Sequence, residues 1–231
     1  MHADQTRQPD DTDRGDTAPV VTCRGYALGP FETNCYVVGV EGSEACWIVD
    51  AGYEPEELIE GVREAGLTPR ALILTHAHAD HIAGVREVLE AFPGTPVWMH
   101  EAEREWMKDP QLNLSANIGL AVTAPPPDAT LSHGQDLELE GTRWRVFHTP
   151  GHSPGGITLY CADAGVALVG DSLFAGSIGR TDFPGSSHET LLASIREHLY
   201  TLPDATVVLP GHGPQTTVGQ EERHNPFVRA D

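Results

Sequence analysis

Positive charge is scarce. Lys108 is the only lysine in 231 residues, and Lys and Arg together number 14 against 34 Asp and Glu, a formal net charge of -20 with histidine neutral. So acidic a chain has nothing to neutralise a row of phosphates, which excludes a general nucleic-acid binder. Docking on an anionic membrane is disfavoured on the same ground. No apolar run approaches the roughly 18 residues of a spanning helix, and the N-terminus lacks the basic-then-apolar pattern of a signal peptide. The four cysteines, Cys23, Cys35, Cys46 and Cys161, are scattered without a C-x-x-C pair. In a chain of this length they read as reduced thiols of a cytoplasmic protein rather than a disulfide frame. Short-period repeats are missing too. What is abundant is histidine, 12 residues, nearly as many as all Lys and Arg.

The first 18 residues, Met1 to Ala18, hold five Asp, two Arg and no large apolar side chain beyond Met1. Such a segment cannot bury enough surface to offset its ordering entropy. It is expected to be a disordered acidic tail, with the folded domain at 19–231. Strands are expected from Val20-Val21, over Asn34–Val40 and Ala45–Val49, with a turn at Glu41–Glu44. Helical spacing follows from Glu54-Pro55, with Leu58, Ile59, Val62 and Ala65 on one face and Gly66 as the stop. Ala71–Leu74 reads as a buried strand, Ile82 to Phe92 as one helix halted by Pro93-Gly94, and Val97–Met99 as a strand. Lys108 to Asp128 is irregular. The second half repeats the logic, with strands at Asp136–Leu139, Thr142–Phe147, Ile157–Tyr160, Val166–Val169 and Thr206–Leu209, and a helix over Thr190–Tyr200. Two strand-rich halves, each with helices, predict an α/β protein of two packed sheets covered by helices.

The sharpest motif is Thr75-His76-Ala77-His78-Ala79-Asp80-His81, directly after the strand ALIL. On an extended segment, residues i and i+2 point the same way, so His76 and His78 can reach one metal. The turn into the following helix re-aims Asp80 and His81 toward a second. Three further segments share one form, a strand end, a glycine and a metal-ligand type of residue: Pro150-Gly151-His152, Gly170-Asp171 and Pro210-Gly211-His212-Gly213. Together they complete two ligand sets. His76, His78 and His152 would hold one ion, and Asp80, His81 and His212 the other. Asp171, with two carboxylate oxygens, would bridge both. His2, His100, His133, His148, His188, His198 and His224 match no ligand position.

The series HAHADH, PGH, GD and PGHG resembles that of the metallo-β-lactamase superfamily, over nearly all of Pro19 to Asp231. The resemblance implies a four-layer αββα sandwich of two mixed sheets, and it makes Asp50, in Ile48-Val49-Asp50-Ala51-Gly52, a support behind the ligands. A bridging Asp171 differs from the Cys or His arrangement that the resemblance would give for the β-lactamases proper. Thr33-Asn34-Cys35-Tyr36, Gly179-Arg180-Thr181-Asp182-Phe183-Pro184-Gly185 and His224-Asn225-Pro226-Phe227 look like the short bacterial glyoxalase II-type hydrolases. The Gly-Arg-Thr-Asp-Phe stretch is shared with persulfide dioxygenases of the superfamily. By motif, Arg180 is the residue placed to bind substrate; the alternative is an Arg that pairs with Asp182.

The expected activity is hydrolysis of a thioester, hydroxyacylglutathione such as lactoylglutathione above all. Two divalent ions, zinc first and iron or manganese as further candidates, would share one water about 3.5 Å from ion to ion. Asp80 and Asp171 would take part in catalysis as their ligands. The pair would lower the water's pKa from about 15.7 toward about 7. A thiolate leaving group, pKa near ~8.5, needs no strong acid. Longer glyoxalase II enzymes continue into a helical domain that supplies basic residues for glutathione. Here 19 residues follow His212, so broad thioester selectivity is expected. The alternative is a mononuclear Fe(II) dioxygenase of glutathione persulfide on His76, His152 and Asp171, and the non-enzymatic reading is a binding module that kept the fold. Oligomeric state is not legible in the sequence.

Overall fold

Strands buried on both faces organise the chain. A computed structural model describes residues 18–229; of the expected acidic tail, all but Ala18 lies outside them. Six strands form the first sheet in the order β1 (Val21–Leu28), β2 (Thr33–Val40), β3 (Ala45–Val49), β4 (Thr68–Ile73), β5 (Val97–His100), β6 (Ala129–Leu131). The β1/β2 and β2/β3 pairs are antiparallel, and β3 through β6 run parallel. The second sheet is built from β7 (Asp136–Leu139), β8 (Thr142–His148), β9 (Ile157–Cys161), β10 (Val166–Gly170), β13 (Val207–Pro210) and β14 (Thr216–Thr217), in the order β14-β13-β10-β9-β8-β7. Only its β10/β13 pair is parallel. A small hairpin, β11 (Leu173–Phe174) with β12 (Ser177–Ile178), stands apart.

The layers follow from side-chain alternation along each strand. In β3, Ala45, Trp47 and Val49 face the second sheet, while Cys46 and Ile48 face the helices. Ala71 and Ile73 alternate with Leu72 and Leu74 in the same way, as do Val166 and Leu168 with Ala167 and Val169 in β10. Helices α1 (Glu56–Glu64), α2 (Ala79–Ile82) and α3 (Val85–Ala91) cover the outer face of the first sheet through Leu58, Val62, Ile82, Val85 and Val88. Helices α4 (His188–Ser194) and α5 (Val218–His224) cover the second through Leu191 and Val218. The result is the four-layer αββα sandwich of two mixed sheets that the resemblance implied. At its centre Trp47 and Trp144 meet edge to face, ring centroids 5.9 Å apart.

Several local expectations need correction. The single helix over Ile82–Phe92 is split into α2 and α3 because Gly84 lies against the backbone of Gly52, where any Cβ would collide with the Gly52 carbonyl. Gly84 N–H instead donates to Ala51 O, 2.9 Å. The expected Thr190–Tyr200 helix begins at His188, capped by the Ser187 side chain, and widens into a π turn over Ile195–Leu199. The irregular middle holds a short 3-10 turn, Ser115–Ile118, and another precedes it at Glu101–Lys108. The pattern reading missed α5 and the short strands β6, β11, β12 and β14. The four thiols are free, Cys35, Cys46 and Cys161 buried and Cys23 partly so. Among the described residues no helix is long and apolar enough to cross a membrane.

Truncating either tryptophan at the sheet interface is expected to cost about 3–5 kcal/mol. Chemical denaturation of Trp144→Ala, Trp47→Ala and the double variant measures this. The double variant should lose less than the sum of the two, since the rings contact each other; additive losses below about 1 kcal/mol each would contradict the packing described.

Candidate metal centre

Four chain turns deliver the predicted site residues to one end of the sandwich. The turn after β4 brings His76, His78, Asp80 and His81; the turns after β8, β10 and β13 bring His152, Asp171 and His212. Both sheets contribute, so the ends must be held in register. Ile157 N–H, at the start of β9, donates to Thr75 O of the first sheet, 2.9 Å. The Thr33-Asn34-Cys35-Tyr36 motif is a second tie. Asn34 N–H donates to Gly211 O at 2.7 Å, its amide to Pro210 O and Gly213 O, and Tyr36 hydroxyl to Pro210 O at 2.7 Å. Gly211 has no alternative as a residue, because a Cβ there would overlap the Asp171 carboxylate.

The predicted residues converge as two triads flanking Asp171. Ligand-type atoms of His76, His78 and His152 lie within 4.8 Å of one another, as do those of Asp80, His81 and His212, and those of His76, His81 and Asp171. His78 Nδ1 and His152 Nε2 are 2.8 Å apart, near the roughly 3.3 Å that separates two nitrogens on one tetrahedral ion with bonds of ~2.0–2.1 Å. Asp171 reaches both sets: Oδ1 is 3.4 Å from His81 Nε2, and Oδ2 is 3.5 Å from both His152 Nε2 and His212 Nε2. Of the other described histidines, none belongs to such a group; His100 and His148 instead stack on each other at 4.0 Å.

Four of the five imidazoles, those of His76, His81, His152 and His212, are oriented through their far nitrogens, as metal-binding histidines usually are. Asp50, 2% exposed, governs two of them. Its Oδ2 accepts from His81 Nδ1 at 2.8 Å and from the Thr75 hydroxyl at 2.7 Å, and that hydroxyl in turn accepts from His76 Nδ1 at 3.1 Å. Its Oδ1 accepts from Thr75 N–H, 2.7 Å. One buried carboxylate thus sets a histidine in each triad. His152 Nδ1 donates to Arg180 O at 2.8 Å, and His212 Nδ1 to Phe31 O at 3.1 Å. The inward nitrogens of His76 and His81 and one oxygen of Asp171 are left buried without a hydrogen-bond partner. Buried polar atoms are normally satisfied, so these orphans fit a set of donors built for cations.

Charge is divided unevenly between the triads. Burial and the neighbouring imidazoles hold His76 well below the ordinary histidine range. Burial, reinforced by His152, pushes His78 down to about 3. His152 is lowered as well, by burial that outweighs the pull of Asp171. In the second triad burial also lowers His81, but Asp80, Asp171 and Asp50 together raise it well above the ordinary value. His212 is raised, its burial overcome by hydrogen bonding to Asp80 and by Asp171. Burial opposes ionisation of Asp80 and Asp171, yet the surrounding histidines, His81 first, leave both carboxyls depressed.

The site opens into a cavity of about 420 Å³. His78, Asp80, His152, Asp171 and His212 line it together with the apolar side chains Phe31, Leu114, Ile118, Phe174 and Phe183. The Gly-Arg-Thr-Asp-Phe stretch supplies part of one wall. Phe183 packs edge-on against His78 at 5.5 Å. Arg180 also lines the cavity, but its guanidinium is held in a two-bond pair with Asp182, 2.9 and 2.7 Å, and lies 4.3 Å over the Phe183 ring. The pairing weighed for Arg180 is therefore formed. Sequence reasoning missed Glu103, a wholly buried carboxylate behind the first triad.

Fold, ligand order and cavity together define the class: the chain belongs to the metallo-β-lactamase superfamily, whose pattern it matches over residues 28–212. It is 43% identical over 206 residues to YqgX of Bacillus subtilis, named a probable metallo-hydrolase, covering 89% of this chain and 96% of that one. It is 37% identical over 202 residues to the hydroxyacylglutathione hydrolase GloC of Haemophilus influenzae, covering 87% and 94%. Among solved structures, BLEG-1, described as a B3 metallo-β-lactamase, superposes with a TM-score of 0.85 at 44% identity, covering 90% and 99%. TTHA1623 in a di-iron-bound form superposes at 0.78 with 39% identity, covering 89% and 100%.

Metal ligation requires unprotonated nitrogens, so the two triads should empty at different acidity. His81 and His212 take up protons first as pH falls, while His76, His78 and His152 stay neutral. Metal-loaded protein dialysed from about pH 8 to about pH 5, across the ordinary imidazole range, should lose one equivalent before the other. In His212→Ala the acid-labile equivalent should be missing from the start. Loss of both equivalents in one step would contradict this asymmetry.

Proposed function

We propose that the protein is a dimetal hydrolase of thioesters acting in the cytoplasm, with hydroxyacylglutathione, lactoylglutathione foremost, as its substrate. The observation that carries the reading is two complete triads on either side of Asp171, at the floor of an open cavity. His76, His78 and His152 would hold one ion, Asp80, His81 and His212 the other, and Asp171 both. Zinc suits these ligands first, and iron and manganese suit them as well. When bound, such a pair of ions supplies Lewis-acid polarisation of a carbonyl and a water of lowered pKa.

The chain's own residues do the rest. Asp80 and Asp171 stay ionised because the histidines depress their pKa values, so both are available as anionic ligands at neutral pH. Asp171, reaching both triads, fixes their separation. The apolar walls exclude water from the reacting carbonyl and pack against the carbon chain of the substrate. Among the described residues no carboxylic acid beyond Asp80 and Asp171 lines the cavity, which suits a leaving thiolate and would not suit an amine. Free thiols at all four cysteines agree with a reducing compartment.

A second reading is β-lactam hydrolysis, favoured by 44% identity to a structure described as a B3 metallo-β-lactamase. The mononuclear dioxygenase reading uses His76, His152 and Asp171 and leaves His78, Asp80, His81 and His212 without a task. Thiol release from lactoylglutathione, ring opening of a β-lactam and oxygen uptake on glutathione persulfide separate the three. The first should dominate in kcat/KM; dominance of either other activity would replace the proposal.

Arg180 provides a test of selectivity. Its pair with Asp182 is exposed and screened by solvent, so a substrate carboxylate can displace Asp182 at little cost. Arg180→Ala is expected to raise KM for glutathione thioesters several-fold with little change in kcat, the mark of lost ground-state binding. Thioesters without carboxylates should be indifferent. Equal effects on both classes would make Arg180 a loop-holding residue and leave the glutathione assignment without support from it.

A further inference from the structure

Glu103 sits in the turn Glu101–Lys108, whose sequence EAEREWMK reads as a solvated charged surface. Its neighbours Glu101 and Arg104 are exposed, yet Glu103 itself is 0% exposed. Burial raises its pKa, and two backbone N–H groups together with the nearby Ser153 hydroxyl work against that rise. Oε2 accepts from Ala77, the residue between His76 and His78, and Oε1 accepts from Gly155, three residues after His152, each at 2.5 Å. Ala77 belongs to the turn after β4 in the first sheet, and Gly155 to the turn after β8 in the second. One carboxylate therefore joins the two turns that carry all three residues of the first triad.

The loop is shaped around this acid. A Cβ on Gly155 would lie 2.9 Å from Glu103 Cγ, so no other residue fits there without displacing it. Trp106, from the same turn, packs its ring against His78 at 5.7 Å. The two nitrogens that must share one ion, His78 Nδ1 and His152 Nε2, stand at the junction these contacts define. Two N–H donors converge on one side chain, and only a carboxylate offers an acceptor to each. A glutamine would set its NH2 against one donor, and an aspartate is a methylene too short to reach both.

We infer that Glu103 is a positioning residue for the first triad, a clasp that sets the distance between His78 and His152 and so the affinity of that triad alone. The inference rests on the ligand assignment proposed above. It also separates the triads, since His81 and His212 are oriented by Asp50 and Phe31, not by Glu103.

Two measurements on the full chain test it. In the metal-free protein, amide exchange at Ala77 and Gly155 should be at least tenfold faster in Glu103→Gln than in wild type, with β-strand amides unchanged. This arm reads the clasp whether or not metal binds. In the second, Zn2+ is titrated against a competing chelator. Glu103→Gln should weaken one equivalent 10–100-fold, the range expected when a residue behind a ligand is lost, and leave the other unchanged. The weakened equivalent should persist in a His212→Ala background. Should Glu103→Gln not fold, Gly155→Ala, which pushes the carboxylate from its place, is expected to give the same one-sided loss. Equal weakening of both equivalents, or unchanged exchange at Ala77 and Gly155, would overturn the inference. Failure of the wild type to bind Zn2+ would instead overturn the ligand assignment beneath it.

Discussion

Burial of negative charge without a matching side-chain cation is the constraint on which the rest of the structure depends. Asp50, Asp171 and Glu103 are at most 9% exposed, and Asp80 is 20% exposed. Arg180, the one arginine among the described residues that lines the cavity, faces Asp182 instead. Carboxylates taken out of water need compensation on this scale, from protons, hydrogen bonds or metal ions. Backbone N–H groups serve Glu103 and part of Asp50. Without metal, His81 answers part of the remaining demand by holding a proton. Two divalent ions would answer the charge of Asp80, Asp171 and Asp50 and release His81 to act as a neutral ligand.

Bringing those groups together explains features that otherwise look unrelated. Seven ligand-type residues arrive from four turns in two sheets, so the sheet ends must be sutured. Ile157 to Thr75, Asn34 to the Pro210–Gly213 turn and Glu103 to both Ala77 and Gly155 are such sutures. Gly84 and Gly211 sit where neighbouring atoms come too close for a side chain. On the cavity side the C-terminal helix acts at a distance. Glu221 and Asn225, both buried, bind the Gly176–Ser177 turn of the β11/β12 hairpin, which carries Phe174 to the cavity wall.

What the sequence made legible follows from the same physics. Strands buried on both faces are rich in β-branched and aromatic residues, so NCYVVGV and ACWIV announce themselves. The ligand-type residues were legible because each of their four segments follows a strand, and in three of the four a glycine sits beside the ligand type. Glu103 was not, since EAEREWMK has the composition of an exposed segment and only its tertiary partners distinguish it. The break at Gly84 depends on a contact with Gly52 that no local pattern records. VGQEERH has one large apolar residue, Val218, too few to mark α5 by periodicity. Arg180 stood between two roles in the sequence, and its salt bridge to Asp182 became visible only in three dimensions.

The central claim is that Asp171 joins two metal positions in one site. Metal-free protein titrated with Zn2+ or Mn2+, with binding followed calorimetrically and metal content measured at saturation, tests it most directly. The account predicts saturation at two equivalents per chain, and weakening of both, not one, in Asp171→Ala. Saturation at a single equivalent that excess metal does not change, or an Asp171→Ala variant that keeps both equivalents at full affinity, would contradict it.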